Sequence, residues 1–229
     1  LFPPESKEWR MEFTVKRGNR YFSYVHPEYR AWWKRYLANF YDNHQLDGFV
    51  FYESHYGTRM GILAGKSEPW FGDVSPGFRR EFSKQTGRAN FPNFTDPKSP
   101  GYYQTNRELY QDYVEYRVKS INDFYGEIWD GKGGLRRNHP EVIYGTWTIA
   151  LDAPGALEEM REGEAQDGPR MVSGLSPDFH FIQSHWPDWI PEKQKPQYIL
   201  GYKPYMKAIL DAFPGLPLAI QGDFASTVP

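Results

Sequence analysis

The 229-residue chain carries 27 Lys+Arg against 29 Asp+Glu, a formal charge of −2, and has no cysteine. The missing cysteines exclude disulfide scaffolds, cysteine–zinc sites, iron–sulfur clusters and thiol nucleophiles. The even spread of charge leaves no nucleic-acid footprint and no polybasic membrane anchor, and no stretch approaches the roughly 18 uninterrupted apolar residues of a membrane-spanning helix. No signal or transit sequence is visible; the chain opens Leu-Phe-Pro-Pro, which reads as a trimmed start. These features fit a soluble protein of unknown compartment, with secretion or the periplasm favoured. The aromatic content stands out: Trp 8, Tyr 17 and Phe 16 make up 18% of the residues, at a mean hydropathy of −0.74. Such a chain either lines polar clefts with ring faces, as sugar pockets do, or builds its core from Tyr instead of Leu.

In chain order, Trp9–Val15, a turn at Arg17-Gly18-Asn19-Arg20 and Tyr21–Val25 read as a hairpin. A helix follows over Glu28–Asn43, with Trp33, Leu37 and Phe40 on one face. Asp47–Glu53 (DGFVFYE) reads as a short buried strand. Ser75-Pro76 starts a helix that runs to Gln85 and stops at Gly87, with Ser as N-cap and Pro at the first position. Thr105–Trp129 carries Tyr110, Val114, Val118, Ile121, Tyr125 and Ile128 at helical spacing. Val142–Ile149 is a second strand, Pro154–Arg161 a helix, Phe179–Ser184 a third strand and Leu218–Gln221 a fourth. The last helix, Gln197–Phe213, contains Pro204, which should kink or divide it.

Strands that alternate with helices and return through Pro- or Gly-rich turns indicate an α/β fold with parallel strands. The apolar, β-branched and aromatic strand runs suit a sheet covered on both faces. Residues 54–104 form a long loop insertion with one short helix, and loops of that length are usually functional.

The order of pieces resembles a family. His26-Pro27-Glu28-Tyr29-Arg30 precedes the first helix, and Leu46-Asp47-Gly48-Phe49-Val50-Phe51-Tyr52-Glu53 follows it. SPGFRREFSKQTG spans Ser75–Gly87, Glu115-Tyr116-Arg117-Val118-Lys119-Ser120 lies in the long helix, and HPEV precedes the second strand. Together these are similar to the middle of the (β/α)8 (TIM-barrel) glycoside hydrolases related to family 42 β-galactosidases and the hypothetical glycosyl hydrolases beside them. The resemblance is moderate over residues 20–150 and rests on element order beyond. It implies a TIM-barrel-like fold, incomplete in this chain and covering about strands four to seven, so that residues 1–229 form one catalytic-type barrel domain or a fragment of one. A further chain or domain would then complete the barrel. It also implies Glu53 as the acid/base carboxylate and an oligosaccharide or polysaccharide substrate, with no cofactor. Two departures stand beside it: Tyr52 takes the place of the Asn that precedes the glutamate in many relatives, and Asp223 is the acid on offer where strand seven should supply a glutamate.

In such barrels the working residues sit at the carboxyl ends of the strands. Here those ends carry Tyr52, Glu53, His55 and Tyr56; Trp147 with Asp152 beyond; Gln183, His185 and Trp186; and Gln221 with Asp223. Glycoside cleavage takes two carboxyl groups, so Glu53, Asp223 and Asp152 are the catalytic candidates. Tyr52, His55, Tyr56, Arg59, Trp147, Gln183, His185, Trp186 and Gln221 are the substrate-binding ones. Each has a bland alternative: an ion pair of Glu53 with Arg59 or Arg117, a turn at Gly222-Asp223, a helix N-cap at Asp152, rings that merely plug the barrel mouth.

The six histidines show no metal-ligand spacing, and His180 and His185 should face opposite sides of a strand. Gly131-Lys132-Gly133-Gly134 follows a helix and reads as a plain loop. No G-x-S-x-G is present, and Asn93-Phe94-Thr95 matches a glycosylation acceptor without further support. Two rival readings remain: a carbohydrate-binding barrel without catalysis, and a metal-dependent α/β hydrolase built on His55, His185, Asp152 and Asp223.

Overall fold

The computed structural model describes residues 2–15, 21–61, 65, 67–190, 192–193 and 195–221. All four expected strands form, as β1 (Gly48–Val50), β2 (Ile143–Ala150), β3 (Phe179–Ser184) and β4 (Leu218–Gln221), but β1 is shorter than the expected Asp47–Glu53 and leaves Phe51, Tyr52 and Glu53 in the loop that follows. They lie in one sheet of order β1-β2-β3-β4, with every pairing parallel. This is the α/β fold with parallel strands that the alternation of elements implies.

The helices are α1 (Pro27–Asn43), α2 (Pro76–Thr86), α3 (Arg107–Asp130), α4 (Leu135–Asn138), α5 (Ala156–Glu164), α6 (Gly168–Leu175) and α7 (Lys203–Ala212). Capping at α2 follows the sequence: Ser75 accepts the Phe78 N–H, and Gly87 closes the helix at φ 72°. Pro204 divides the last helical stretch as expected, leaving a 3-10 turn over Tyr198–Tyr202 before α7. Helix α6 was not expected; it is eight residues long, with Asp167 as N-cap and Pro169 in its first turn. Among the described residues the front hairpin is reduced to an isolated antiparallel bridge, Arg10 to Phe22, because the first arm beyond it turns to another partner, with Phe13 bridging Gly72. The expected turn at residues 17–20 lies outside the described residues.

Register assigns the two faces of the sheet. Tyr144, Thr146, Thr148, His180 and Ile182 face the helices: Tyr144 meets Trp129 of α3 at 5.5 Å between ring centres, and Ile182 packs with Val172 and Ile209. On the other face, Tyr52 lies 6.2 Å from the Trp147 ring and 6.1 Å from Phe181. Gly145 is needed there, because an added Cβ would collide with Phe179 and Val50.

The aromatic excess goes mostly into the core. Long helix α3 buries Tyr110, Tyr113, Phe124, Tyr125 and Trp129 against Phe78, Phe71 and Tyr56. Burial of that much ring surface, at about 25 cal/mol per Å2, makes this layer the main hydrophobic support of β1 and the loop that follows it.

Candidate functional site

The loop after β1 is tied down from three sides. From α3, the Tyr125 hydroxyl contacts the Phe51 carbonyl at 3.0 Å and Ser54 Oγ at 2.9 Å. From the front segment, the Tyr24 hydroxyl reaches the carbonyls of Glu53 and His55, both at 3.4 Å. Beyond α5, Gln166 donates to the Ser54 carbonyl at 3.1 Å and accepts the Ile149 N–H at 2.6 Å, stitching the loop to β2. Glu53 adopts φ 57° in this frame. A non-glycine residue in the left-handed region is costly by about 1–3 kcal/mol and is concentrated at functional sites.

The frame delivers a chain of four polar side chains. Glu53 Oε2 lies 2.9 Å from His55 Nε2, and Glu164 Oε2 lies 2.6 Å from His55 Nδ1. Glu164 Oε1 meets His185 Nε2 at 3.3 Å, and the Gly57 N–H donates to Glu164 Oε2 at 3.1 Å. His55, His185 and Glu164 are buried, whereas the Glu53 side chain is 63% exposed. Burial alone would push the His55 imidazolium down, but the Glu164 carboxylate, with Glu53 behind it, outweighs burial and holds its pKa at about 10. Burial likewise works against the Glu164 charge; His55 and His185 pull its pKa to about 2. The hydrogen bond from His55 holds the Glu53 carboxyl below its usual range.

Glu164 is the last residue of α5, where the helix dipole disfavours an anion. The cation that suits that end is supplied by Arg117 of α3, which donates to the carbonyls of Glu162 at 3.0 Å and Gly163 at 3.2 Å. Arg117 is fully buried between the rings of Tyr56 and Tyr113. It therefore fixes the helix end that presents Glu164 and is not the ion-pair partner of Glu53.

These groups open on a cavity of about 200 Å3 that is also lined by Tyr21, Arg59, Trp70, Gln183, Trp186 and Trp189. The Arg59 guanidinium lies 4.5 Å over the Trp186 ring. Trp189 donates to the Ser184 carbonyl at 3.0 Å, and buried Asp188 anchors the same loop by accepting from Lys193 and Tyr202. A larger groove, about 740 Å3, runs between the front segment and the N-termini of α1 and α2, but it mixes glutamates with arginines and holds no comparable linked set.

Of the residues expected at the site, Glu53, His55, Arg59, Gln183, His185 and Trp186 come together around this cavity. Tyr52, half-exposed, stands against Trp147 and Phe181 on the face of the sheet away from the helices. Gln221 pairs in register with Gln183 one strand over and does not line the cavity. Three more of the expected residues also lie off the cavity. Tyr56 is fully buried, its hydroxyl bonded to Ser120, so it supports the loop from below. Trp147 is also fully buried and donates to Gln183 at 3.1 Å, so it offers no open ring face. Asp152 lies at a separate pocket near Gly201 and Tyr205, its N–H donated to Asp188, and it caps no helix because Gly155 is the N-cap of α5. Asp223 lies outside the described residues.

That placement also separates the metal set of the second rival reading: Asp152 is apart from His55 and His185, and both His55 nitrogens face carboxylates. Among the described residues no group of three or more His, Asp or Glu is arranged to hold a metal ion. Tyr21, Trp70, Trp189 and Glu164 are missed from sequence, and of these Glu164 belongs to the linked polar set. It sits in a run with Glu158, Glu159 and Glu162 that reads as a solvated helix face, and no local pattern distinguishes it.

No family model and no curated protein matches the chain. Among solved structures, it is similar to the catalytic domain of β-amylase from Paenibacillus polymyxa, with a TM-score of 0.62 and 12% sequence identity. The match covers 94% of this chain and 61% of that one, so the chain spans less than two thirds of its structural neighbour. The narrower likeness to family 42 finds no support in these comparisons. What the likeness establishes is the fold: a parallel α/β, TIM-barrel-like arrangement, of which this chain holds a part.

Proposed function

We propose that this chain carries the catalytic site of a glycoside hydrolase acting on an oligosaccharide or polysaccharide, with Glu53 as one of the two reacting carboxylates. The observation that carries this reading is Glu53 itself. It stands just beyond the carboxyl end of β1 in a left-handed backbone conformation, fixed by His55 and open to a cavity rimmed by Trp186, Trp70, Trp189 and Arg59. Strand ends on this side are where barrel enzymes place their chemistry. Rings with polar neighbours suit the alternating C–H and O–H faces of a sugar.

Asp223 is the second carboxylate of this reading, two residues beyond the end of β4. Glu164 does not serve, because its side chain is only 5% exposed and both oxygens are engaged by protein groups. A glycoside-hydrolase domain as structural neighbour supports the reaction class, and the resemblance in residues 20–150 supports Glu53 as the strand-four carboxylate. Carbohydrate binding without cleavage is the second reading, favoured by Tyr52 in the place of the expected Asn.

The test is release of reducing ends from a panel of polysaccharides and aryl glycosides by the purified protein and its Glu53→Gln variant. We expect turnover to fall by about 10²- to 10⁴-fold, the range of a lost acid–base group. Turnover within a few-fold of wild type removes Glu53 from the mechanism. Glycan binding with no release by wild-type protein selects the second reading.

A further inference from the structure

We propose that His55, clamped by Glu164, is a positioning residue that presents Glu53 to the cavity as the anionic member of the carboxylate pair, leaving proton donation to the other member. The proposal rests on the glycoside-hydrolase reading above for Glu53 as a reacting carboxylate, and within that reading it moves Glu53 from the acid/base role the resemblance implies to that of the anionic partner.

Geometry carries the argument. An imidazole has two nitrogens, and when neutral it donates from only one. Here each nitrogen faces a carboxylate oxygen at hydrogen-bond distance, 2.9 Å to Glu53 and 2.6 Å to Glu164. Two carboxylates on opposite edges of one ring are both satisfied only if the ring carries both protons. The Gly57 N–H lies 3.1 Å from both Glu164 Oε2 and His55 Nδ1. The 2.6 Å contact of Nδ1 with Glu164 is the shorter one, so Nδ1 donates to the carboxylate and the Gly57 N–H turns to Oε2. Glu164 is itself held by the helix end that Arg117 secures, so the clamp is built on the core and not on the mobile end of a surface side chain. The exposed Glu53 side chain is thereby fixed through Oε2, which leaves Oε1 for substrate or water.

The other groups around His55 fit the same charge state. His185 approaches Glu164 from β3, and Arg59 lines the same cavity. From the front segment come only neutral contacts, the edge of Tyr21 at 5.7 Å and the Tyr24 hydroxyl, and from β2 the Trp147 ring at 6.3 Å. The pKa directions of His55 and Glu53 agree with this arrangement.

In glycoside cleavage the anionic carboxylate gives an electron pair either to the anomeric carbon or to a proton of the attacking water. The glycosidic C–O bond breaks with its pair going to the leaving oxygen, and that oxygen takes its proton from the other carboxyl group. A carboxylate hydrogen-bonded to an imidazolium suits the first task, while a general acid needs a raised pKa.

Two measurements test the proposal on the whole protein. In ¹⁵N-detected NMR, the His55 ring should show both nitrogens protonated at pH 8, and Glu164→Gln should bring its titration down toward the ordinary histidine range. A His55 that titrates near pH 6.5 in wild-type protein overturns the clamp, whether or not any glycan is cleaved. In kinetics, His55→Gln should lower kcat about 10²-fold with KM little changed and should move the acid limb of the pH profile up by about one unit. An acid limb that stays in place while kcat falls shows a merely structural histidine and overturns the proposal. If His55→Gln does not fold, Glu164→Gln takes the same kinetic measurement with the same two outcomes. Loss of the parent reading is separable: Glu53→Gln would then retain activity while the NMR result for His55 stands.

Discussion

His55 and His180 are both buried imidazoles, one beyond the carboxyl end of β1 and the other near the amino end of β3. At the first, two carboxylates flank the ring. At the second, the partners are hydroxyls: Thr146 Oγ1 lies 2.8 Å from Nδ1 and Thr148 Oγ1 lies 2.9 Å from Nε2. A hydroxyl both donates and accepts, so a neutral ring satisfies two of them, one in each role. Burial then goes unopposed and lowers the His180 pKa to about 3, while the carboxylates take His55 the other way. Equal burial thus gives opposite charge states. The partner chemistry decides whether a buried histidine is a charged device at a strand end or a neutral packing group within the sheet.

The sharpest way to break this contrast is to remove the counter-charge. Glu164→Leu leaves a buried imidazolium without its main partner and should cost about 3–5 kcal/mol, read by urea unfolding at pH 7. His180→Leu should cost less, about 1–3 kcal/mol, through the hydroxyls it orphans. That variant should leave glycan turnover within a few-fold of wild type; a collapse of activity would make His180 part of the site.

The same two residues predict opposite pH dependences of stability. The His180 pKa is depressed on folding, so the unfolded chain takes up its proton first as pH falls below about 6.5, and stability is lost from there toward about pH 3. The His55 pKa is raised, so its contribution is complete below about 6.5 and is lost as pH rises toward about 10. His180→Leu should flatten the acid side of the stability curve, and Glu164→Gln the alkaline side. Curves that keep their shape in both variants would remove the distinction. The smallest effect belongs to the rim: Trp186→Ala should change stability by no more than about 1 kcal/mol. The same change should raise KM several-fold, because Arg59 loses the ring it lies over, a contact of about 0.5–1 kcal/mol at exposed sites.

Much of the frame is legible in the sequence because it rests on local rules. The strand runs Val142–Ile149, Phe179–Ser184 and Leu218–Gln221 come within a residue of β2, β3 and β4. Ser75-Pro76 and Gly87 punctuate α2 as capping chemistry requires. Helix α6 escaped notice because a segment of eight residues with two glycines and a proline reads as loop, and its packing against α7 and β2 supplies what propensity lacks. The strand-end rule gathered Glu53, His55, Gln183, His185 and Trp186 at one cavity. It failed for Trp147, since period-2 alternation places a ring on a face but does not say what covers that face, and for Tyr56, since the path of a loop is set by what it packs on, here Ser120 of α3. It failed for Asp152 because the chain turns away after β2.

By itself the sequence determined the parallel α/β frame, the absence of thiol chemistry and the loop that carries Glu53 and His55, all of them consequences of composition, periodicity and turn residues. Only the tertiary structure decided the charge states. Glu164 is 109 residues from His55 in sequence and 2.6 Å from it in space, and electrostatic energy depends on the second separation. The aromatic excess was settled in the same way. Counting rings in a sequence leaves core and cleft equally open; packing α3 against the loop after β1 puts most of them in the core and leaves Tyr21, Trp70, Trp186 and Trp189 for the cavity.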